Sequence, residues 1–241
     1  MSKLQNGPHD AEPHNRSTFS EGLNKLRAGV LGANDGIVSV AAVVVGVAGA
    51  TSQLAPIITA GTAAVVGGAI SMALGEYVSV ASARDSQTAL INKEKRELAE
   101  MPEQELAELA GIYEAKGLSA ATAQQVAAEL TAHDALGAHL EAELHIDENE
   151  VLKPWQAAWA SFIAFLLGAA LPMLAITLPP AEQRISITFA ATLLALGITG
   201  ALGAKLGGSP ALRPTLRVLV GGALALAITF GIGALLGTTI T

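Results

Sequence analysis

The sequence predicts an all-α, polytopic membrane protein: five transmembrane helices, with a three-helix cytosolic insert between the second and the third. Three observations carry this expectation. Five apolar stretches each reach the ~20 residues that a helix needs to cross a bilayer core. Of the 241 residues 51% are hydrophobic, 15% are charged and only 4% are aromatic, a profile in which small side chains let helix backbones approach closely in lipid. The basic residues flanking the stretches also segregate to one side, as they do around membrane spans.

Taken in order, residues 1–22 form a polar segment holding Pro8, Pro13, His9 and His14. It has no apolar core of the kind a secretory signal needs, and its composition predicts a disordered tail whose histidines are solvated. The next segment, 23–82, contains the first two spans, at 28–50 and 55–81, joined by Thr51-Ser52-Gln53. Residues 83–152 are different material: acidic, rich in Ala and Leu, and helical in pattern. Pro102 suits a first helical turn and so separates one helix from the next. Gly117-Leu118-Ser119 reads as a helix stop followed by an N-cap at Ser119. Three helices are therefore expected, at 82–100, 102–116 and 120–144. Segment 153–241 carries the remaining spans, at 155–178, 185–206 and 216–238.

Orientation follows from Lys and Arg. Lys25 and Arg27 precede the first span, Arg84, Lys93, Lys95 and Arg96 follow the second, and Lys205, Arg213 and Arg217 lie between the fourth and fifth. The opposite loops carry only Arg184. The rule that positive loops stay inside places the N-terminus and the insert in the cytosol, and an odd number of spans places the C-terminus outside.

Several function classes drop out. A net charge of −7 disfavours nucleic acid, which is bound by basic surfaces. With no cysteine, disulfides, zinc–thiolate sites and cysteine nucleophiles are excluded. There is no nucleophile-and-base pair and no His-Glu-x-x-His motif, so an enzyme is not expected.

Two carboxylates lie in apolar segments. Asp35 sits in Asn34-Asp35-Gly36 of the first span, and Glu76 in Met72-Ala73-Leu74-Gly75-Glu76-Tyr77-Val78-Ser79 of the second. A charge at membrane depth costs ~3 kcal/mol or more and normally faces a cavity, an ion or a partner. Neither span supplies an obvious basic partner, so a divalent cation or a proton would complete them. Met72 and Glu76 are four apart and share a helix face, as do Asp35 and Ser39. Carboxylate oxygens with a thioether form a mixed hard and soft site, better suited to iron(II) or manganese(II) than to magnesium. Bland readings stand beside these: Asn34-Asp35-Gly36 as a turn capping a shorter helix, Glu76 as an interfacial residue reaching headgroups, Met72 as packing.

In the insert, Glu94 and Glu97 are three apart on one expected helix, and Glu105 and Glu108 on the next. A fold-back at Pro102 lets the pairs approach, and like charges brought together need a cation. A hydrated acidic face balanced by Lys93, Lys95 and Arg96 fits the spacing equally well. His139 and Glu143 are four apart and form a further possible ligand pair, whereas His145, Asp147, Glu148 and Glu150 read as surface and His133 as structural.

These residues carry a resemblance. Arg27-Ala28-Gly29 with Asn34-Asp35-Gly36-Ile37-Val38-Ser39, and then the run from Gly68 to Val80 through Ser71-Met72 and Gly75-Glu76-Tyr77-Val78-Ser79, resemble the vacuolar iron transporter family, most of all its bacterial and nodulin-like branch. The likeness extends over nearly the whole chain from about Leu23. It implies a homodimer in a lipid bilayer that exchanges protons for iron(II), with manganese(II) sometimes accepted, and no resident cofactor beyond the ions moved and bound. By the same resemblance Asp35 and Met72 line the transport path, the insert is a metal-binding domain whose paired glutamates fall on Glu94, Glu97, Glu105 and Glu108, and a later glutamate falls on Glu143. The sequence departs from the pattern at Ala28 and Ala64, where some members carry acids, and at His139-Leu140, where the family has a methionine–glutamate pair. Glu76 is placed to take over part of the missing acids' role.

The expectation is thus a proton-coupled exporter of cytosolic iron(II), possessing a pathway through Asp35, Met72 and Glu76, in the bacterial inner membrane. The alternatives are a manganese-selective exporter and a membrane-bound metal sensor that does not transport. A sensor has no need of a carboxylate at Asp35.

Overall fold

The computed structural model describes residues 17–146 and 152–240, with side chains over 29–146 and 152–237. Its elements are seven helices: α1 (Ser17–Ala50), α2 (Leu54–Glu100), α3 (Pro102–Ala115), α4 (Ala120–Ala142), α5 (Pro154–Thr177), α6 (Arg184–Leu206) and α7 (Leu212–Ile240). No strand occurs among the described residues. His9 and His14, and with them most of the expected tail, lie outside those residues, as do Asp147, Glu148 and Glu150. The expected tail boundary at residue 22 moves back, because α1 already begins at Ser17. Pro13 is the last proline before the span, so helix can propagate backwards from it.

Five helices are long and apolar enough to cross a membrane: Gly29–Ala50 of α1, α2, α5, α6, and Leu212–Gly237 of α7. The chain divides into two compact units, one comprising residues up to Tyr77 together with those from Trp155 onward, the other Val78–Pro154. α2 contributes to both. The helix boundary expected near residue 82 is absent, since no Gly or Pro interrupts the chain between Gly75 and Pro102.

In the first unit α1 buries two adjacent faces. Val40 and Val44, one helical turn apart, pack with Ile57 and Ala69 of α2 and with Phe165, Ala169 and Ile176 of α5. Ala41 and Val45, one position further round, pack with Leu226 of α7 and are flanked by Ile185, Phe189 and Phe230. Close approach is enforced by missing side chains. A Cβ on Gly36 would run into the backbone carbonyl of Phe165, and one on Gly168 into that of Ala33, so α1 and α5 meet backbone to backbone. Gly233 meets the Gly46 carbonyl in the same way and brings α7 against α1. Gly168→Val is therefore expected to destabilise the helix bundle by about 3 kcal/mol or more, since neither backbone can retreat. Gly221→Ala, at a helical position with open space around it, should not destabilise and gains up to ~1 kcal/mol from helix propensity. Thermal unfolding of the two variants in detergent checks both.

Polar contacts tie the same helices. The Thr199 hydroxyl of α6 donates to the Asn34 side-chain oxygen of α1. Arg184, at the start of α6, donates from Nη1 to the Ser52 carbonyl in the α1–α2 loop at 3.3 Å. The outward faces are rows of large apolar side chains one turn apart, such as Leu216, Val220, Leu224, Ile228 and Ile232 on α7, which suit lipid. Trp155 and Trp159, both exposed, open α5 as interfacial aromatics do, and Trp155 packs on Tyr77 with ring centroids 4.7 Å apart.

The second unit is built on the end of α2, α3 and α4. Helix α2 stops where Pro102 removes the next backbone donor, and Pro102 opens α3. Helix α4 is capped as its sequence predicts: Ser119 Oγ accepts from the Thr122 amide at 3.3 Å, after Gly117 has taken a positive φ of 103°. Leu109 and Ala110 of α3 pack with Ala127 and Ala142 of α4 to form the core. One feature differs from the uniform helix expected over 120–144. The backbone leaves helical geometry at Asp134, and Asp134 Oδ1 accepts from the Gly137 amide at 3.0 Å. Asp134 thereby caps a new short helical segment that carries His139, and Glu143 closes it as the C-cap.

Candidate metal centre

Three helices of the second unit converge on His139. Glu94 projects from α2 two turns before the chain reverses at Met101, Glu105 from the first turn of α3, and His139 and Glu143 from the re-capped end of α4. A carboxylate in a first helical turn also opposes the helix dipole favourably, which suits Glu105 to its place. His139 Nδ1 lies 3.0 Å from Glu94 Oε1, 3.7 Å from Glu105 Oε2 and 3.6 Å from Glu143 Oε2. One ligand atom from each of Glu94, Glu105 and His139 falls within 4.8 Å of the others, and this is the metal-competent group of His and acidic residues among those described.

The site is dry. Residue exposure is 2% for Glu94, 5% for Glu105 and 0% for His139. Burial comes first among the causes that push the carboxyls of Glu94 and Glu105 above the usual glutamate range, reinforced by the neighbouring charges of Glu143 and Glu108 respectively and opposed by His139. Neither ring nitrogen of His139 has a hydrogen-bond partner, and Glu94 Oε1 has none either, although it is 3.0 Å from Nδ1. The atoms are near enough for an ion pair and are not aimed as a donor and acceptor should be. Buried polar atoms without partners are costly, and a cation held between them removes the cost at His139 Nδ1, Glu94 Oε1 and Glu143 Oε2 together.

Raised carboxyl pKa values fix the sign of a pH effect. In the folded protein Glu94 and Glu105 hold protons more tightly than in the unfolded chain, whose value is near 4.5. Without metal, their contribution to stability is present below that value and is lost as pH rises through the raised folded values. Amide exchange at Leu109 and Ala110, corrected for its intrinsic pH dependence, should therefore show weaker protection of the metal-free insert at neutral than at acidic pH. Glu94→Gln should flatten that difference.

The other acids expected in this cluster stand further out. Glu108 is exposed. Glu97 is half-buried and accepts from Lys93 Nζ at 2.7 Å, a contact that leads the causes holding the Lys93 ammonium above its ordinary pKa. The spacing of Glu94, Glu97, Glu105 and Glu108 offered a four-glutamate cluster or a hydrated face, and the geometry divides the four into an inner and an outer pair. It also adds His139 and Glu143 to the inner pair. The signal for that addition was Asp134-Ala135-Leu136-Gly137, a mid-helix capping pattern that turns the end of α4. His133 is exposed, and His145, with φ 53°, places Nδ1 3.1 Å from the Glu141 carbonyl oxygen.

In the first unit Asp35 is exposed on the surface of the chain within the first span, and Ser39 Oγ donates to its Oδ1 at 2.7 Å. No basic side chain pairs with Asp35 or Glu76 among the described residues. Asn34-Asp35-Gly36 lies inside continuous helix, so the reading as a helix-ending turn is removed. Met72 is partly buried against the core that joins α1, α2 and α5, and Glu76 is half-buried one turn further along.

The sequence model described as the VIT family matches residues 26–234, a range that includes every candidate residue above. The chain belongs to the VIT family. Among VIT-family relatives it is 42% identical over 227 residues to a protein of Acanthamoeba castellanii named vacuolar iron transporter, an alignment spanning 94% of this chain and 83% of the relative. It is 35% identical over 221 residues to vacuolar iron transporter homolog 1 of Arabidopsis thaliana, covering 91% of this chain and 87% of that one. It is 30% identical over 230 residues to the VIT-like transporter 1b of Glycine max, covering 95% and 83%. These VIT relatives are named as transporters, and none bears an enzyme's name.

Proposed function

We propose that the protein carries iron(II), and with lower preference manganese(II), out of the cytosol in exchange for protons. The observation that carries this reading is Asp35: a carboxylate inside an apolar span, held by Ser39 and lacking a cationic neighbour among the described residues. In lipid such a charge is unstable unless an ion or a proton neutralises it. One carboxylate can hold either, which is the requirement for exchange. The relatives' name, vacuolar iron transporter, supports iron as the cargo.

In this reading the insert faces the cytosol and collects the ion at Glu94, Glu105, His139 and Glu143, with Glu97 and Glu108 as an outer acidic approach. Met72 and Glu76 receive it, and Asp35 passes it on. Two copies complete the path. Support for a homodimer comes from Asp35, which a single protomer leaves exposed, and from α2, whose Ile58, Val66, Ile70, Leu74 and Val78 are exposed in the span. The distribution of Lys and Arg supports an inward N-terminus and insert. The bacterial inner membrane remains the proposed location.

The test is reconstitution. Proteoliposomes with an acidic lumen are expected to accumulate iron(II) and to lose luminal protons as they do so. Accumulation that is indifferent to the pH gradient would remove proton coupling, and no accumulation of any first-row dication would remove the carrier reading altogether.

A further inference from the structure

We propose that His139 sets the ion preference of the insert, so that discrimination against magnesium and calcium is made there, by a single nitrogen ligand, before an ion reaches the span. The inference rests on the metal centre proposed above. Around that centre the donors are three carboxylates and one imidazole: Nδ1 stands 3.0 Å from Glu94 Oε1, 3.6 Å from Glu143 Oε2 and 3.7 Å from Glu105 Oε2. Separations of this size are those of ligand atoms that each sit ~2.0–2.2 Å from one shared first-row ion.

The imidazole is more than a bystander to the acidic cluster. His139 is fully buried, and both of its nitrogens lack hydrogen-bond partners. A histidine placed for packing alone would satisfy one nitrogen with a carbonyl or hydroxyl, and one placed as an internal counter-ion would aim an N–H at Glu94. Neither arrangement is present. What the ring offers to the cluster is Nδ1, on a segment whose direction Asp134 fixes by capping the Gly137 amide.

Donor type then decides preference. Magnesium and calcium take oxygen donors almost exclusively, whereas manganese(II), though content with oxygen, is a first-row ion that also binds imidazole, the donor that suits iron, nickel, copper and zinc. Magnesium in particular keeps an octahedral shell of oxygens and gives up its waters reluctantly. A buried site in which nitrogen replaces one oxygen penalises both abundant alkaline-earth ions and still accepts iron(II) and manganese(II). Leu140, the next residue, offers no donor, so the nitrogen of His139 is what this part of α4 contributes beside Glu143.

The experiment uses the full chain in detergent with manganese(II) as a paramagnetic probe. Pulsed electron spin-echo spectra of the bound ion are expected to show coupling to a directly bonded nitrogen, lost in His139→Leu and absent in His139→Glu. In His139→Glu, which makes the centre all oxygen, preference for manganese(II) over magnesium is expected to fall by on the order of 10-fold or more, at least the scale on which outer-shell changes move metal affinity. Bound manganese without nitrogen coupling in the native chain, coupling that survives in both variants, or unchanged preference in His139→Glu would each overturn the inference, while weakened binding in Glu94→Gln keeps the metal centre. Binding that neither Glu94→Gln nor His139→Leu weakens would overturn the centre itself and the inference with it.

Discussion

Asp35→Ala is expected to bring iron(II) uptake by proteoliposomes to the background level of empty vesicles. The carboxylate is the charged group of the first span, and a charge or ion at that depth without compensation costs ~3 kcal/mol or more. If that cost reappears in the barrier for the passing ion, transport slows by more than ~100-fold. Asp35→Asn keeps the side chain's size and its contact with Ser39 and should be equally inactive, because the amide can neither neutralise a dication nor take up the exchanged proton. Asp35→Glu should retain part of the rate. Radioactive iron uptake, read beside the elution profile of each purified variant, separates lost transport from lost folding. Full activity in Asp35→Asn would mean that the negative charge is not part of the path.

Paired substitution of the inner glutamates is expected to give two effects of opposite sign. In the absence of metal, Glu94→Gln/Glu105→Gln should stabilise the insert, since two buried carboxyls whose charged forms are disfavoured by burial are replaced by neutral groups of the same shape. With metal the order should reverse. An ion at ~100 times its dissociation constant stabilises the form that binds it by about 2.7 kcal/mol, and the variant forgoes that gain. Amide exchange across α3 and α4, with and without manganese(II), reads both effects. Metal-induced protection of the same size in the variant and the native chain would return Glu94 and Glu105 to the hydrated-face reading.

Much of the architecture was legible before any fold was known. The five spans follow from the length of apolar runs, the Ser119 cap and the Pro102 start from local backbone chemistry, and the position of Asp35 and Glu76 inside apolar helices from the runs that hold them. Two local features were not legible. Helix α2 runs through the expected boundary near residue 82 because a change from apolar to charged side chains alters what surrounds a helix and leaves its backbone hydrogen bonds intact. The break at Asp134 was hidden for the opposite reason. The apolar pattern continues past it, while a single side chain competes for the Gly137 amide and redirects the backbone.

What the sequence by itself determined is the material of each segment: which stretches suit lipid, which are acidic, and which residue types are able to hold a dication. Periodicity along one helix fixes neighbours three or four positions apart and no others. Which acids meet was decided only by tertiary structure, since Glu94, Glu105 and His139 come from three helices and converge through the reversal at Met101 and the turn at Asp134. Glu97, one turn from Glu94 by sequence, is drawn instead to Lys93 on the half-exposed face. The physical reason is that ligand geometry depends on distances between helices, and those are set by packing: Leu109 and Ala110 against Ala127 and Ala142 in the insert, and Gly36 against Phe165 in the spans.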